Sequence, residues 1–396
     1  MVGSFNTTHV EARLLTAAYY LSFIVLGLAS AAEGPSLPTL AAHTSSPLNR
    51  ISLLFVAGSV GYLLGSMVGG HAYDTLPKHR FMVATLIVMI AAAIVFPLAS
   101  ALWFLLFAAF VMSLGKGALD VGCNILLQWV HGDEVAPFLN GLHFSFGLGA
   151  FLSPILLAQI ISLTHEIYWV FWIIALLMIP LAVWLWILPP PPTRTYAETS
   201  NDALISVAPI LLIVLAFILY VGAEVGFSNW IYTYAFTLKL ASKVTAAYLT
   251  SAFWGLFTVG RLLGVWLSTR TRSKTILFAD FIGCFASLGL ILMRGDSALI
   301  LWIGTICFGI SMASIFPNIL TLASESLRIT GTITGWFLVG AGMGGMLLPW
   351  LIGQAFTFSG PHMMMILVLV DLALNFLVLL FFMAGRRQSV VTESQT

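Results

Sequence analysis

Twelve long apolar runs set what this chain can fold into. They fall at about 14–42, 50–72, 80–99, 101–130, 137–163, 167–188, 207–236, 244–268, 274–294, 297–325, 330–357 and 362–384, separated by Gly, Pro, Ser or charge. A helix needs about 20 apolar residues to cross the hydrocarbon core of a bilayer. Inside lipid every backbone N–H and C=O needs a partner within the protein, which favours helices. Of the 396 residues 60% are hydrophobic and only 8% charged, whereas soluble domains carry about 25% charged residues. The expectation is therefore an all-α integral membrane protein with twelve transmembrane helices. A formal net charge of +1 without a basic patch offers nothing to a nucleic acid. Cys123, Cys284 and Cys307 all lie in apolar runs without CxxC spacing, so they read as small hydrophobes and neither disulfides nor metal ligands. The first apolar run is too long for a signal-peptide core and is expected to stay in the mature protein. No nucleophile–base motif, metal-ligand cluster or phosphate loop argues for an enzyme.

The longest interruption, Pro189 to Ser206, carries four prolines and then polar residues. It divides the chain into a six-helix bundle at 1–188, a cytoplasmic linker at 189–206 and a second six-helix bundle at 207–396. Repeats link the two halves. Gly61-x-Leu-Leu-Gly65 recurs as Gly260-x-Leu-Leu-Gly264, and Gly147-x-Gly149 with Pro154 recurs as Gly342-x-Gly344 with Pro349. Gly115 and Asn124 match Gly309 and Asn318, and Glu33 matches Glu224, with all offsets between 191 and 199 residues. Two pseudo-symmetric bundles place a substrate site at mid-membrane. Arg13, Lys78, Arg80, Arg194, Arg270, Arg272, Lys274, Arg328, Arg386 and Arg387 fall on the side of the termini, and only Arg50, Lys239, Lys243 and Arg294 fall opposite. The positive-inside rule then puts both termini in the cytoplasm.

Within span four, Lys116, Asp120, Asn124 and Gln128 are spaced four apart and form one polar stripe on a helix. A charge near the bilayer centre costs at least about 2.5–3.5 kcal/mol, so the stripe should face a bundle interior or a wet cavity. Lys116 and Asp120 either neutralise each other structurally or carry function. Desolvation disfavours the Asp120 carboxylate, whereas Lys116 favours it. The balance decides between a proton carrier and a permanent acceptor. Asn124 and Gln128 offer donors and acceptors suited to a polyhydroxyl ligand, or to interhelical bonding. Glu224 is the second intramembrane acid, followed by Asn229 and Trp230. Trp230 and Trp254 are candidate platforms for the apolar face of a sugar ring, or members of an interfacial belt. Glu33 precedes Gly34, Pro35 and Pro38, where the helix should break or end, and Pro317 beside Asn318 suggests a gating bend or simple packing. His143 is a ligand contact or a satisfied core histidine. Arg261 should pair with an acid or backbone carbonyls. Asp280 and Asp371 lie in spans expected to be peripheral and read as structural.

The chain resembles the major facilitator superfamily, most closely the branch of the fucose permease and the sodium-dependent glucose transporters. The resemblance spans all twelve runs and rests on GKGALDVGCN (115–124), LHFSFGLGAFLSP (142–154), YVGAEVGFSNWIYTYA (220–235) and GISMASIFPNILTLA (309–323). Gly70, Asp74, Lys78 and Arg80 loosely match the superfamily's loop between helices two and three. The resemblance implies a secondary active transporter that moves a monosaccharide with H+ or Na+ by alternating access. Asp120 matches the acid that helps couple proton and sugar, whereas Lys116 departs from the pattern. Substrate contacts are expected at Asn124, Gln128, His143, Asn229, Trp230, Trp254 and Asn318. Cation coupling is expected at Asp120, Glu224, Glu33 and Lys116, and gating at Asp74, Arg80, Arg261 and Pro317. No cofactor or metal beyond the coupling ion is expected, and the protein should be a monomer in a bacterial inner membrane. The alternatives are a proton-coupled efflux antiporter of a drug-like molecule and a sensor that has kept the fold without transport.

Overall fold

The computed structural model describes residues 9–192, 207–325, 327 and 331–393. The expected linker lies outside them from residue 193 onward. Among the described residues there are fifteen α-helices and no strand. They are α1 (His9–Ala31), α2 (Glu33–His43), α3 (Leu48–Ile51), α4 (Leu53–Thr75), α5 (Lys78–Val95), α6 (Leu102–His131), α7 (Ala136–Thr164) and α8 (Tyr168–Ile187). The second set comprises α9 (Val207–Thr237), α10 (Lys243–Ser268), α11 (Ser273–Met293), α12 (Ala298–Met312), α13 (Ile315–Ser324), α14 (Gly331–Ser359) and α15 (Met363–Glu393). Eleven helical stretches among the described residues are long and apolar enough to cross a membrane. The twelfth by position is α10, which carries Thr250, Thr258 and Arg261. The Thr250 and Thr258 hydroxyls donate to the carbonyls of Ala246 and Trp254 one turn back, at 3.2 and 2.7 Å. Such back-bonding lets an apolar helix hold a hydroxyl without an unpaired donor.

Two of the expected spans are broken helices. Pro35 has no N–H for the Ala31 carbonyl, so the first span divides at Ala32 into α1 and α2. Pro317 likewise cannot serve the Ala313 carbonyl, and span ten divides at Ala313–Ser314 into α12 and α13. Both prolines sit in the first turn of the second piece, where their missing N–H is tolerated. Side chains from other helices donate to carbonyls near each break. Ser153 donates to Leu28 O at 2.7 Å and Tyr220 to Met312 O at 3.2 Å.

The chain forms two compact units, α1 to α8 and α9 to α15, with one exchange: Pro47–Phe55 belongs to the second. This departs from a boundary at the linker alone. Short α3 packs on α14, where Gln354 Nε2 donates to Asn49 O at 2.7 Å and to Ser52 Oγ at 3.3 Å. In the first unit α7 packs along α1 because Gly149 brings its backbone onto the Ile24 carbonyl. In the second, α14 packs along α9 with Gly344 on the Ile218 carbonyl. Gly61 and Gly65 set α4 against Phe110 and Leu114 of α6, as Gly260 and Gly264 set α10 against Ile310 and Ser314. The glycine repeats in the sequence are thus helix-crossing points, where small residues allow close backbone approach in a membrane.

Candidate functional site

In the first unit three elements bring polar groups together around α6. The break after α1 places Glu33 in the first turn of α2, where the helix N-terminus favours a carboxylate. Its Oε1 meets Lys116 Nζ at 2.5 Å, with the side chains 19% and 8% exposed. Lys116 therefore pairs across helices with Glu33, and the pairing with Asp120 on its own helix, one of the two readings the sequence leaves open, is not what forms. A lysine one turn before an acid is the weaker order along a helix, and the long lysine stem reaches a better-placed partner. Asp120 is held instead by neutral donors. Its Oδ2 accepts the Tyr62 hydroxyl from α4, and its Oδ1 accepts Asn124 Nδ2 at 2.8 Å. Asn124 Nδ2 also reaches the Asp120 carbonyl at 3.0 Å. Gln128, a further turn along, is exposed. His143 is exposed on α7, its ring edge-to-face with Phe23 at 5.9 Å. Asp74 and Arg80 are exposed near the α4–α5 turn, and the Arg80 guanidinium lies 5.7 Å from the Trp186 ring centre.

The second unit has its own charged centre. Glu224 and Tyr220 are one turn apart on α9, and Arg261 of α10 acts electrostatically on both. The Arg261 guanidinium also sits 4.8 Å from the Phe257 ring centre. Asn229 Nδ2 bonds back to Val225 O at 2.9 Å. Trp230 is wholly buried, its indole N–H donating to Pro349 O at 2.9 Å between the rings of Phe55 and Phe356. A ring enclosed in this way supports packing and offers no open face to a sugar. Trp254 is buried beside Phe253 and Phe257. Asn318 Nδ2 bonds Ser314 O at 2.8 Å, and Pro317 is exposed beside it. Asn124 and Asn318, matched in sequence, therefore both bond back one turn, the first to an acid and the second to a serine. That serine is not without a carboxylate, because Ser314 Oγ donates to Asp280 Oδ2 at 2.5 Å.

Tyr62 and Asp280 are the two residues that reading the sequence left out of the site. Tyr62 had a usable signal. It is the variable second residue of Gly61-x-Leu-Leu-Gly65, and Arg261 holds the same place in the second copy. Each glycine pair draws its helix inward, and the residue beside the first glycine reaches the acid of that unit. Asp280 had no such signal, since only the fold brings α11 to the break between α12 and α13.

The Major Facilitator Superfamily profile matches residues 19–349. Among curated proteins, the chain is 28% identical over 372 residues to sodium-dependent glucose transporter 1A of Mus musculus, covering 84% of this chain and 88% of the relative. It is 30% identical over 356 residues to sodium-dependent glucose transporter 1 of Xenopus laevis, covering 82% of this chain and 72% of the relative. Among solved structures, the nucleoside transporter NupG (D323A mutant) superposes with a TM-score of 0.73 at 14% identity, over 94% of this chain and 99% of that one. The fold is thus shared with a transporter of distant sequence. The chain is a multi-pass membrane protein of the major facilitator superfamily, a transporter in the branch of the sodium-dependent glucose transporters.

Proposed function

We propose that the protein is a cation-coupled monosaccharide symporter working by alternating access, with Asp120 as the coupling carboxylate. One observation carries this reading. In the first unit Lys116 neutralises Glu33, whereas among the described residues Asp120 is held by the uncharged donors Tyr62 and Asn124. A buried carboxylate without a cation partner is costly inside a membrane, and binding H+ or Na+ removes that penalty. The Glu33–Lys116 pair then neutralises itself, which leaves Asp120 for an external ion. Glu224 has Arg261 beside it and suits a switch in the second unit better than a free cation site.

Sugar hydroxyls would be met by Asn124, Gln128 and Asn229, which carry both donors and acceptors. The names of the relatives favour a sugar over a drug-like solute. The Lys and Arg excess on one side supports cytoplasmic termini; a bacterial inner membrane and a monomeric state complete the proposal. The deciding experiment is uptake of a labelled sugar panel into proteoliposomes under separate pH and sodium gradients. Asp120→Asn should abolish uphill accumulation and keep substrate exchange. Full accumulation by that variant would overturn the coupling role.

A further inference from the structure

Outside the two centres described above, α15 carries a pair of polar side chains with an energetic problem. Asp371 is 9% exposed and Asn375 is 0% exposed. Among the described residues, Asp371 Oδ2 and both Asn375 side-chain atoms are buried without a hydrogen-bond partner. The two residues are one turn apart and share a face of the helix. That face meets α9 at Gly222. A Cβ placed on Gly222 would lie 3.6 Å from Asp371 Oδ1, 3.4 Å from Gly344 O and 3.2 Å from Leu348 Cβ. The missing side chain thus leaves a narrow space, too tight for a methyl group unless Leu348 shifts, bordered by a carboxylate and a main-chain carbonyl.

We propose that Asp371, Asn375 and the Gly344 carbonyl form a sodium-ion site behind Gly222, between α9, α14 and α15. Carboxylate, amide and main-chain oxygens are hard ligands of the kind that bind hard cations. The ion compensates a charge that would otherwise be stranded in the bundle. A proton on Asp371 would not do as much, since among the described residues no hydrogen bond joins the two side chains and the Asn375 oxygen, which a cation would ligate, would stay unpartnered. A bridging water would satisfy Asn375 but leave the carboxylate charge uncompensated. The site lies two residues from Glu224 along α9, so its occupancy would stiffen the helix that carries the second unit's acid. It is separate from Asp120 and stands whether or not Asp120 couples transport.

The test is thermal unfolding of the purified full-length protein in sodium chloride against choline chloride at equal ionic strength. Sodium should raise the midpoint in the unaltered protein and in Asp120→Asn. The shift should vanish in Asp371→Asn. It should vanish also in Gly222→Ala, which fills the space and leaves both polar side chains in place, and so guards against a variant that simply fails to fold. Identical midpoints in the two salts for the unaltered protein would overturn the site and leave a trapped water as the occupant. A sodium shift lost in Asp120→Asn but kept in Gly222→Ala would also overturn it, by placing the ion at Asp120.

Discussion

Lys116 chooses between two carboxylates, and its choice sets the electrostatics of the first unit. Removing one partner of a buried ion pair strands the other and typically costs about 3–5 kcal/mol, whereas removing both is far milder. Lys116→Met should therefore lower thermal stability sharply, and Glu33→Gln with Lys116→Met should recover most of the loss. A double-mutant cycle by thermal unfolding in detergent measures this; a loss in Asp120→Asn/Lys116→Met equal to the sum of the two single losses would fit, because Asp120 is not the partner. Tyr62 makes a second residue-scale prediction. Its hydroxyl stabilises the ionised Asp120, and hydrogen bonds to charged groups are worth about 1.5–3 kcal/mol. Under the coupling reading, Tyr62→Phe should strengthen cation binding, so the cation concentration for half-maximal uptake should fall by about tenfold or more. Unchanged or weaker cation dependence would count against Tyr62 as a partner of the coupling acid.

Helix crossings decide which substitutions the elements tolerate. Gly149 and Gly344 each face a main-chain carbonyl on the neighbouring helix, and that backbone can yield only by separating the helices. Gly70, on α4, has nothing within 4 Å of where its Cβ would be. Gly149→Leu and Gly344→Leu should abolish the monodisperse peak in size-exclusion chromatography, whereas Gly70→Leu should leave it unchanged. These elements also show what the sequence discloses and what it withholds. Hydropathy marks the helices, because burial in lipid demands long apolar runs. The breaks at Ala32 and Ala313–Ser314 follow from Pro35 and Pro317, whose missing N–H groups are visible in the sequence. The partner of Lys116 was not legible. Asp120 is four residues away and Glu33 is 83, and only the packing of α1 against α6, with α2 continuing from α1, brings the distant one closer. Trp230 misled for a similar reason, since a tryptophan in a polar-flanked helix looks the same before its neighbours are known. Asp371 read as structural by its place in the last span, yet among the described residues its buried Oδ2 has no hydrogen-bond partner.

For the whole molecule, the charge pattern makes a topological prediction that is independent of the transport chemistry. With Cys123, Cys284 and Cys307 replaced by Ser or Ala, Lys239→Cys should react in intact cells with a membrane-impermeant maleimide. Arg272→Cys should react only after permeabilisation. The reverse pattern would invert the orientation. The assignment of Pro47–Phe55 to the second unit bears on how this chain can be divided. The polypeptide passes from one unit to the other three times, at 46–47, at 55–56 and through the linker, although the sequence suggests a single crossing. A cut in the linker therefore does not yield two self-contained halves. The N-terminal fragment keeps a nine-residue piece of the other unit's fold, including the Asn49 carbonyl and Ser52 hydroxyl that Gln354 uses. Two genes encoding the fragments on either side of the linker should behave as complementing alleles, each product degraded when expressed alone and both retained when expressed together.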